Sequence, residues 1–344
     1  MQEFNIAQMT RFASLSFFPV LLSCLPMLAK RIFTTLLVLT VLAGATRVYF
    51  RATDDFRLGN ITHPMPFQAA WEIPPLSPTE RKQIEAILDQ KFSYIGKGAQ
   101  AYAFGSEDGK YVLKFFKFKH LRPNSYSSWL PSFIPAFKAY KENLAIRKNR
   151  KLYGVFEGYR LAYGVHKEGS GILFLQLNPA QNLNRTATLI DKIGFNRRVD
   201  LNTVPFILQE KARTTRAEVI TALSNGNVGR VTRLIGQIFE LYLEEYRKGV
   251  YDKDHGVMHN TGFVGDRPIH LDIGKLTKEE SLSDPEFWER DLEIIAWKFA
   301  TWTRETYPEQ ASAVERGMEE KLSKIFKRPF AFATSTPPLR KRRH

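Results

Sequence analysis

One stretch, Tyr251 to Leu276, constrains the fold of this 344-residue chain more than any other. Between Thr261 and Leu271, two short β-prone runs flank the turn 265–268, so the sequence predicts a β-hairpin. Side chains with oxygen ligands stand before and after it: Asp252, Asp254, Asn260 and Asp272. Carboxylate and amide oxygens at the two ends of one hairpin suit Mg²⁺ and a polyphosphate. The same residue types are common in turns, so this stretch alone also permits an interpretation without chemistry.

A second segment lies far upstream and adds to this pattern. The run 96–104 joins two predicted strands through a turn that contains Gly96, Gly98 and Ala101. A hairpin then leads into the apolar strand Tyr111–Phe116, which carries one lysine, Lys114. Glycines let a backbone approach phosphates closely, and a lysine contacts phosphates as a point charge. The segment therefore indicates a phosphate-binding site.

Together, the two segments resemble the protein kinase-like superfamily, which carries a glycine-rich loop, a strand lysine, H-R-D-x-x-x-x-N and D-F-G. Asp252-Lys253-Asp254 stands at H-R-D, Asn260 at the loop asparagine, and Asp272-Ile273-Gly274 at D-F-G. Gly96, Gly98 and Ala101 stand at the glycine positions. No A-P-E follows Gly274, so the chain resembles the small-molecule and lipopolysaccharide kinase-like phosphotransferases more than protein-directed kinases.

The resemblance implies an α+β, two-lobed protein kinase-like fold, with a small antiparallel sheet plus a helix in the N-lobe and a mainly helical C-lobe. It implies ATP and Mg²⁺ as cofactors and transfer of the γ-phosphoryl group to a hydroxyl of a protein, sugar or lipid-sugar. The implied roles are acceptor orientation by Asp254, metal binding by Asn260 and Asp272, phosphate binding by Lys114, pairing of Lys114 with Glu157, and adenine binding at the hinge near Glu210. Glu142 is a second candidate for the pairing with Lys114.

The sequence leaves a second function open. Ala101 occupies the third glycine position, Asp252 occupies the histidine position, and one extra residue separates Asp254 from Asn260. These departures fit a catalytically inactive pseudokinase that acts as a nucleotide- or partner-binding module. The two functions differ in turnover and share nucleotide binding.

Composition favours an anionic partner and limits other chemistry. The formal charge of +15 indicates phosphate, an acidic surface or nucleic acid, but aromatic and basic residues are not interleaved along one strand, which makes nucleic acid a minor alternative. The single cysteine, Cys24, excludes an intramolecular disulfide and a cysteine-based zinc site. His255 and His259 are four apart, yet Gly256 argues against the helix that a zinc pair would need. No G-x-S-x-G nucleophile elbow is present.

The patterns divide the chain into five parts. Residues 1–50 form a hydrophobic membrane segment, 51–76 a Pro-rich linker, 77–211 the N-lobe, 212–328 the C-lobe, and 329–344 a basic disordered tail. Within the first part, two apolar blocks, Phe12–Ala29 and Ile32–Ala45, predict a single-pass or hairpin anchor. The second block, with Lys30-Arg31 before it, also has the features of a signal peptide. ATP is cytoplasmic, so we expect the catalytic domain on that side, although a single spanning helix with Lys30-Arg31 before it would place the domain outside by the positive-inside rule.

Local signals predict the main helices. Ser77-Pro78-Thr79-Glu80 has the residues of a capping box and predicts a helix from Pro78 to about Gln90. Apolar residues at helical spacing predict a helix from about Ala136 to Val165, and Asn227 predicts the start of another that runs to Lys248. Two further helices are predicted near Glu286–Thr303 and Gln310–Phe326.

Overall fold

The computed structural model of the chain describes residues 26–121, 123, 127, 129–179 and 183–335. It divides into two compact units, Met1–Asp55 and Phe56–His344. In the first unit, helix α1 spans Met27–Ala52, about 39 Å at the rise of an α-helix. Its stretch Ala29–Ala52 is long and apolar enough to cross a membrane, and no residue in the most apolar part of it is buried. Most of the predicted block Phe12–Ala29 lies outside the described residues.

The second unit is mixed α+β. Its helices are α2 (Leu58–Ile61), α3 (Pro78–Leu88), α4 (Phe118–Leu121), α5 (Pro135–Val165), α6 (Lys167–Ser170), α7 (Thr215–Ser224), α8 (Val228–Arg247), α9 (Val257–Asn260), α10 (Pro285–Thr306) and α11 (Pro308–Phe326), with 3₁₀ turns at Ala69–Trp71 and Glu280–Ser283. Its strands are β1 (Lys91–Lys97), β2 (Ala101–Ser106), β3 (Tyr111–Phe116), β4 (Ile172–Gln176), β5 (Thr186–Ile190), β6 (Asn196–Asp200), β7 (Phe206–Glu210), β8 (Arg213–Thr214), β9 (Val250–Asp252), β10 (Thr261–Val264), β11 (Arg267–His270) and β12 (Leu276–Lys278).

The predicted helix starts have the expected capping contacts. At α3, the Ser77 hydroxyl accepts a hydrogen bond from the Glu80 amide, and the Glu80 carboxylate accepts one from the Ser77 amide at 3.0 Å. At α8, the Asn227 side chain accepts a hydrogen bond from the Arg230 amide at 2.9 Å. Each contact satisfies an amide that has no partner within its helix. These capping contacts confirm the two predicted starts.

The main sheet is larger than the small antiparallel sheet expected from the resemblance. It has seven strands in the order β4-β7-β3-β2-β1-β5-β6. Every neighbouring pair is antiparallel except β1 and β5, which are parallel. The hairpin β5–β6 thus extends the sheet at β1, far from the edge strand β4 that precedes it in the chain. Since β6 was not predicted, the sequence analysis missed this extension.

Two hydrophobic cores lie within this unit. One core lies around the main sheet and α5 and includes Phe92, Phe115, Phe156 and Phe206, all fully buried. The other lies among α7, α8, α10 and α11 and includes Phe239 and Phe299. Ile273 and Leu276, from the predicted metal-binding loop and β12, belong to the first core, whereas Val257, Met258 and Phe263 belong to the second. The predicted metal ligands Asn260 and Asp272 thus lie on a stretch that contributes to both cores.

Two predicted boundaries differ from the structure. The stretch 51–76, expected to be a linker, places Phe56, Ile61 and Trp71 in the sheet-side core, where each is at most 3% exposed. At the other end, Phe330 and Phe332 are buried in the helical core, so the folded part continues beyond residue 328. Both segments contain many polar and proline residues, which predicted a linker and a tail. The few aromatic side chains that pack each segment into a core were therefore overlooked. Residues 336–344 of the predicted tail lie outside the described residues.

Candidate active site

The glycine-rich turn is a tight connection between β1 and β2. The Gly98 amide donates a hydrogen bond to the Ala101 carbonyl at 2.9 Å, and Gly96 pairs with Ala103 across the strands. An added Cβ at Gly96 would meet no atom within 4 Å, and one at Gly98 would meet only the Ala101 carbonyl oxygen, at 4.0 Å. The glycines therefore leave open space beside the backbone. This is the space that a phosphate group needs in order to approach backbone amides.

Lys117 supports this turn from beneath. Its ammonium donates to the Gly98 carbonyl at 2.5 Å and lies 4.7 Å from the centroid of the Tyr102 ring. Its backbone amide donates to the Gln100 carbonyl at 2.8 Å. Because Lys117 is itself buried, its contacts fix the turn against the sheet.

Lys114 on β3 reaches from the sheet to the predicted metal-binding loop. Its ammonium donates a hydrogen bond to the Leu271 carbonyl at 2.5 Å. Burial lowers the pKa of Lys114 to about 8, and the nearby Asp272 carboxylate opposes that shift. The residue as a whole is partly exposed, while its ammonium is buried against the loop. The predicted phosphate-binding lysine and the predicted metal ligand Asp272 are therefore neighbours.

The structure also brings Asn260 and Asp272 together. The Asn260 carbonyl accepts hydrogen bonds from the amides of Leu271 at 2.6 Å and Asp272 at 3.4 Å. These contacts close the base of the hairpin β10–β11, whose register pairs Thr261 with His270. Both side chains are partly exposed. An amide oxygen and a carboxylate at one hairpin base form a donor set that suits Mg²⁺.

Asp254 lies on the loop between β9 and α9. Its backbone amide donates to Asp252 Oδ1 at 2.8 Å, and its own Oδ2 is 2.7 Å from Lys275 Nζ. Partial burial would raise the pKa of Asp254, but the hydrogen bond and charge of Lys275 hold that pKa below its usual value. Asp254 is thus an ionised, partly exposed carboxylate held two residues after the buried Asp252.

Helix α5 contacts the metal-binding loop through two adjacent residues. The Tyr159 hydroxyl donates a hydrogen bond to Asp272 Oδ1 at 3.2 Å. Burial, the Asp272 charge and this hydrogen bond raise the pKa of Tyr159 well above its usual value, so the phenol stays protonated. Gly158 lies against the backbone of Ile273 and Gly274, where an added Cβ would come within 2.9 Å. Sequence analysis missed Tyr159 as a residue of the site.

Two predicted roles are not matched by contacts. Glu157 points away from the site and pairs with Arg160 at 2.6 Å, with 49% of its side chain exposed. Within the described residues, Lys114 forms no ion pair with Glu157 or with the exposed Glu142. Glu210 instead pairs with Arg267 of the hairpin. Its amide donates to the Gly171 carbonyl at 2.9 Å, so that donor is already engaged within the sheet region.

Gln100 is a second residue that the sequence analysis did not assign to the site. It lies in the glycine-rich turn, is 8% exposed, and its carboxamide oxygen has no hydrogen-bond partner. A Cβ at Gly274 would collide with this oxygen. The Gln100 side chain therefore lies against the end of the metal-binding loop, where a side chain at position 274 would also contact the Tyr159 ring. Its position next to the glycines was the available signal.

A buried network of charged side chains lies behind the loop. Glu245 of α8 is 2.5 Å from His270 Nδ1 and 3.1 Å from His166 Nε2, and Asp252 is 3.9 Å from His270 Nε2. The three ligand atoms of Glu245, His270 and His166 lie within 4.8 Å of one another. Adjacent ligands of a tetrahedral zinc ion would be roughly 3.3 Å apart. The 2.5 Å separation of Glu245 Oε1 and His270 Nδ1 is instead that of a close ion pair, and neither atom has a hydrogen-bond partner among the described residues.

The charges in this network stabilise one another. Burial would raise the pKa of Glu245, but His270 and His166 lower it to about 2. Burial would lower the pKa of His270, and Glu245 more than offsets that effect and leaves it raised. Burial raises the pKa of Asp252 to about 7 against the opposing His270 charge. The network therefore holds Asp252, and through it Asp254, beside the hairpin.

His255 and His259 do not form a metal site. His255 Nε2 lies 2.6 Å from Asp291 Oδ1, and His259 is exposed on the short helix α9. Since α9 begins at Val257, the two histidines do not share a helix.

A cavity of about 760 Å³ lies among α8, α10 and α11. None of the predicted site residues lines this cavity.

No protein-family model matches the chain. No curated protein matches it either. Three solved structures show a distant likeness. WbdD with the kinase inhibitor LY294002 is 13% identical over 70% of this chain and 47% of that one, with a TM-score of 0.33. The bifunctional kinase-methyltransferase WbdD is 14% identical over 69% and 45%, with a TM-score of 0.30. Rv3197 from Mycobacterium tuberculosis, in complex with erythromycin, is 14% identical over 72% and 61%, with a TM-score of 0.32.

The chain spans about half the length of the WbdD structures that it matches. The TM-scores are too low to transfer a detailed geometry or an activity.

Proposed function

We propose that the chain is a membrane-anchored kinase-like phosphotransferase that moves the γ-phosphoryl group of ATP to a hydroxyl. One observation carries this proposal: the sheet lysine Lys114 contacts the loop that holds Asp272, and Asn260 binds the backbone of the same loop. The phosphate-binding and metal-binding elements were predicted from segments about 150 residues apart. A site for Mg·ATP requires the phosphate-binding and metal-binding elements to lie side by side.

In this proposal, each group has a role that fits its surroundings. The open turn at Gly96 and Gly98 would receive the phosphates, and Lys114 would bind them with its ammonium. Asn260 and Asp272 would hold Mg²⁺, which neutralises phosphate charge during transfer. Asp254 is ionised, so it would orient the acceptor hydroxyl and accept its proton.

The two-lobed kinase-like fold is part of the same proposal. Strands β4, β7, β3, β2 and β1 form an antiparallel series next to α5, and a mainly helical region follows. This order agrees with the N-lobe and C-lobe expected from the resemblance. The chain segment that follows Glu210, the last residue of β7, would connect the lobes.

The second candidate function is a pseudokinase that binds nucleotide without transferring phosphate. Two observations favour it: Glu157 pairs with Arg160 rather than Lys114, and Gln100 lies over Gly274. Both arrangements differ from the resemblance-based expectation. Nucleotide binding is common to both functions, and turnover separates them.

Nucleotide binding is tested by thermal unfolding of the full chain with and without Mg·ATP. A ligand at a hundred-fold excess over its Kd stabilises the folded state by about 2.7 kcal/mol. Lys114→Met should lose most of this stabilisation, and Lys110→Met, at an exposed position before the same strand, should keep it. If the parent protein shows no shift with saturating Mg·ATP, neither function stands.

Turnover is tested with Asp272→Asn, which keeps the shape of the side chain but removes a charged metal ligand. We expect slow ATP turnover in the parent and none in the variant. Binding without any turnover or transfer would favour the pseudokinase. Labelled ATP with a membrane extract would then report whether the phosphoryl group enters protein or lipid-sugar.

Membrane anchoring through α1 is also part of the proposal. The helix is long enough to span a bilayer, and a signal sequence has similar features. With a C-terminal tag, the protein should sediment with membranes and remain there in high salt, because apolar insertion is not screened. Release by salt would contradict anchoring through α1. Protease added to intact cells should leave the tag uncut if the domain is cytoplasmic.

A further inference from the structure

The N-terminal half of α5 and the residues before it form a second candidate membrane contact. This basic-aromatic segment, 129–151, contains six Lys or Arg residues and one acidic residue, Glu142. Buried side chains of α5 begin at Leu144 and cluster after Leu152. The first turns of a 31-residue helix are therefore left largely uncovered.

Large apolar side chains are exposed along this segment. Trp129 is 82% exposed and Phe133 is 86% exposed. Tyr140 is 50% exposed, and Phe137 also reaches solvent. Such a concentration of exposed aromatic residues marks an interaction site rather than an ordinary soluble surface.

Lysine and arginine side chains lie on the same side of the helix as these aromatic rings. The successive spacings between Phe137, Tyr140, Arg147 and Lys151 are three, seven and four residues. These spacings place the four side chains on one side of an α-helix. Within the described residues, Arg147, Lys148, Arg150 and Lys151 form no ion pair with a carboxylate. Besides burial, Lys151 and Arg147 lower the pKa of Lys148, which shows that the positive charge here is not balanced.

We propose that segment 129–151 binds the surface of an anionic phospholipid bilayer. Aromatic rings at the headgroup level, together with lysine and arginine beside them, are the features by which a helix lies in a membrane interface. Uncompensated cations attract anionic headgroups. This inference rests on the proposed anchoring of the same chain by α1, which makes a bilayer the available acidic surface.

The test uses the full-length protein, reconstituted into proteoliposomes. In a Cys24→Ser background, Phe133→Cys is labelled with an environment-sensitive fluorophore. The vesicles contain either phosphatidylcholine alone or phosphatidylcholine with phosphatidylserine in both leaflets, so either orientation is sampled. We expect a blue-shifted emission, quenched by brominated lipid, only in the anionic vesicles.

Charge reversal provides the decisive comparison. Arg147→Glu with Lys151→Glu should abolish the blue shift, and high salt should reduce it. Lys321→Glu with Lys324→Glu, an exposed pair on α11, is the matched control and should leave the shift unchanged. Circular dichroism of each variant checks that the fold is retained.

Three results would overturn the inference. Equal emission in neutral and anionic vesicles would exclude anionic headgroups as the ligand. Equal effects of the two charge reversals would mean that net charge, not this segment, is responsible. A shift that follows the protein-to-lipid ratio instead of the anionic fraction would indicate contact between two copies of the chain. If the protein co-floats with neither type of vesicle, the proposed anchoring through α1 fails; if it co-floats with both and the emission does not shift, only the present inference fails.

Discussion

Gly158 offers a direct test of how α5 holds the metal-binding loop. An added Cβ at Gly158 would lie 2.9 Å from the Gly274 carbonyl carbon and from the Ile273 carbonyl oxygen. Both neighbours are backbone atoms, so neither can rotate away as a flexible side chain would. Gly158→Ala must therefore move the backbone after Asp272, or move the helix.

Gly154 provides the matched control. It lies one turn earlier on α5, and a Cβ there would meet no atom within 4 Å. Replacing glycine by alanine inside a helix stabilises the fold by about 1 kcal/mol, so Gly154→Ala should gain about that much. At Gly158, overpacking opposes the same gain by about 1–3 kcal/mol. The expected net change ranges from about zero to a loss of about 2 kcal/mol.

The assay is thermal unfolding of both variants, each with and without saturating Mg·ATP. We expect Gly154→Ala to unfold at a higher temperature than the parent and to keep the full nucleotide stabilisation. We expect Gly158→Ala to unfold no higher than the parent and to lose much of the nucleotide stabilisation, because Asp272 is displaced. If Gly158→Ala gains as much as Gly154→Ala and still binds Mg·ATP fully, the proposed support of the loop by α5 is wrong.

Three further predictions follow from charged residues. Because the pKa of Lys114 is about 8, its ammonium loses its charge as the pH rises through that value. The affinity for Mg·ATP, measured by titration, should then weaken about tenfold per pH unit. The Lys114→Arg variant should show no such pH dependence. Glu157→Gln should change stability by less than about 0.5 kcal/mol and leave the Kd for Mg·ATP unchanged, since its ion pair is exposed; a large loss would restore its predicted role. Glu245→Leu should lose about 3–5 kcal/mol in chemical denaturation, because two buried histidines lose their partner, and Glu244→Gln, at a more exposed position, should lose far less.

Local sequence signals predicted much of the fold. The capping residues at Ser77 and Asn227 fixed two helix starts, and Gly265, with a φ of +60°, forms the predicted hairpin turn. These signals work because each depends on contacts within a few residues. Likewise, the proximity of Asp272 and Asn260 could be predicted because the hairpin between them fixes their separation.

Glu157 was assigned to the site from the resemblance, although the local helical pattern argued against that assignment. Val155, Phe156 and Tyr159 are buried on α5, and at 100° per residue Glu157 lies about 200° from Tyr159 on the helix. The helical period therefore already placed Glu157 on the outer face. The choice of Glu157 came from the resemblance, which required a carboxylate on this helix to pair with Lys114. The side-chain contact that α5 makes with the site is the hydrogen bond from Tyr159 to Asp272.

Other features could not be predicted from neighbouring residues. His166, Glu245 and His270 come from three separate elements, and nothing in their local sequence indicates that they meet. The placement of β5 beside β1 is equally non-local, because it depends on the path of the chain between β4 and β5. In 51–76, prolines indicated a linker, while the burial of Phe56 and Trp71 depends on a surface formed elsewhere.

The buried network bears on the choice between enzyme and pseudokinase. Asp252 occupies the position where the resembled motif has histidine, which by itself suggests a lost function. In the structure, however, His270 lies next to Asp252, so an imidazole is present at this place but comes from the hairpin. Asp252 also accepts the hydrogen bond of the Asp254 amide at 2.8 Å and so orients the loop that carries the proposed catalytic carboxylate. The four side chains of this network are fully buried, and removal of one partner from such a network costs about 3–5 kcal/mol. Asp252 is therefore better explained as a replacement for the motif's histidine in supporting Asp254 than as the loss of that support. This interpretation favours the phosphotransferase over the pseudokinase.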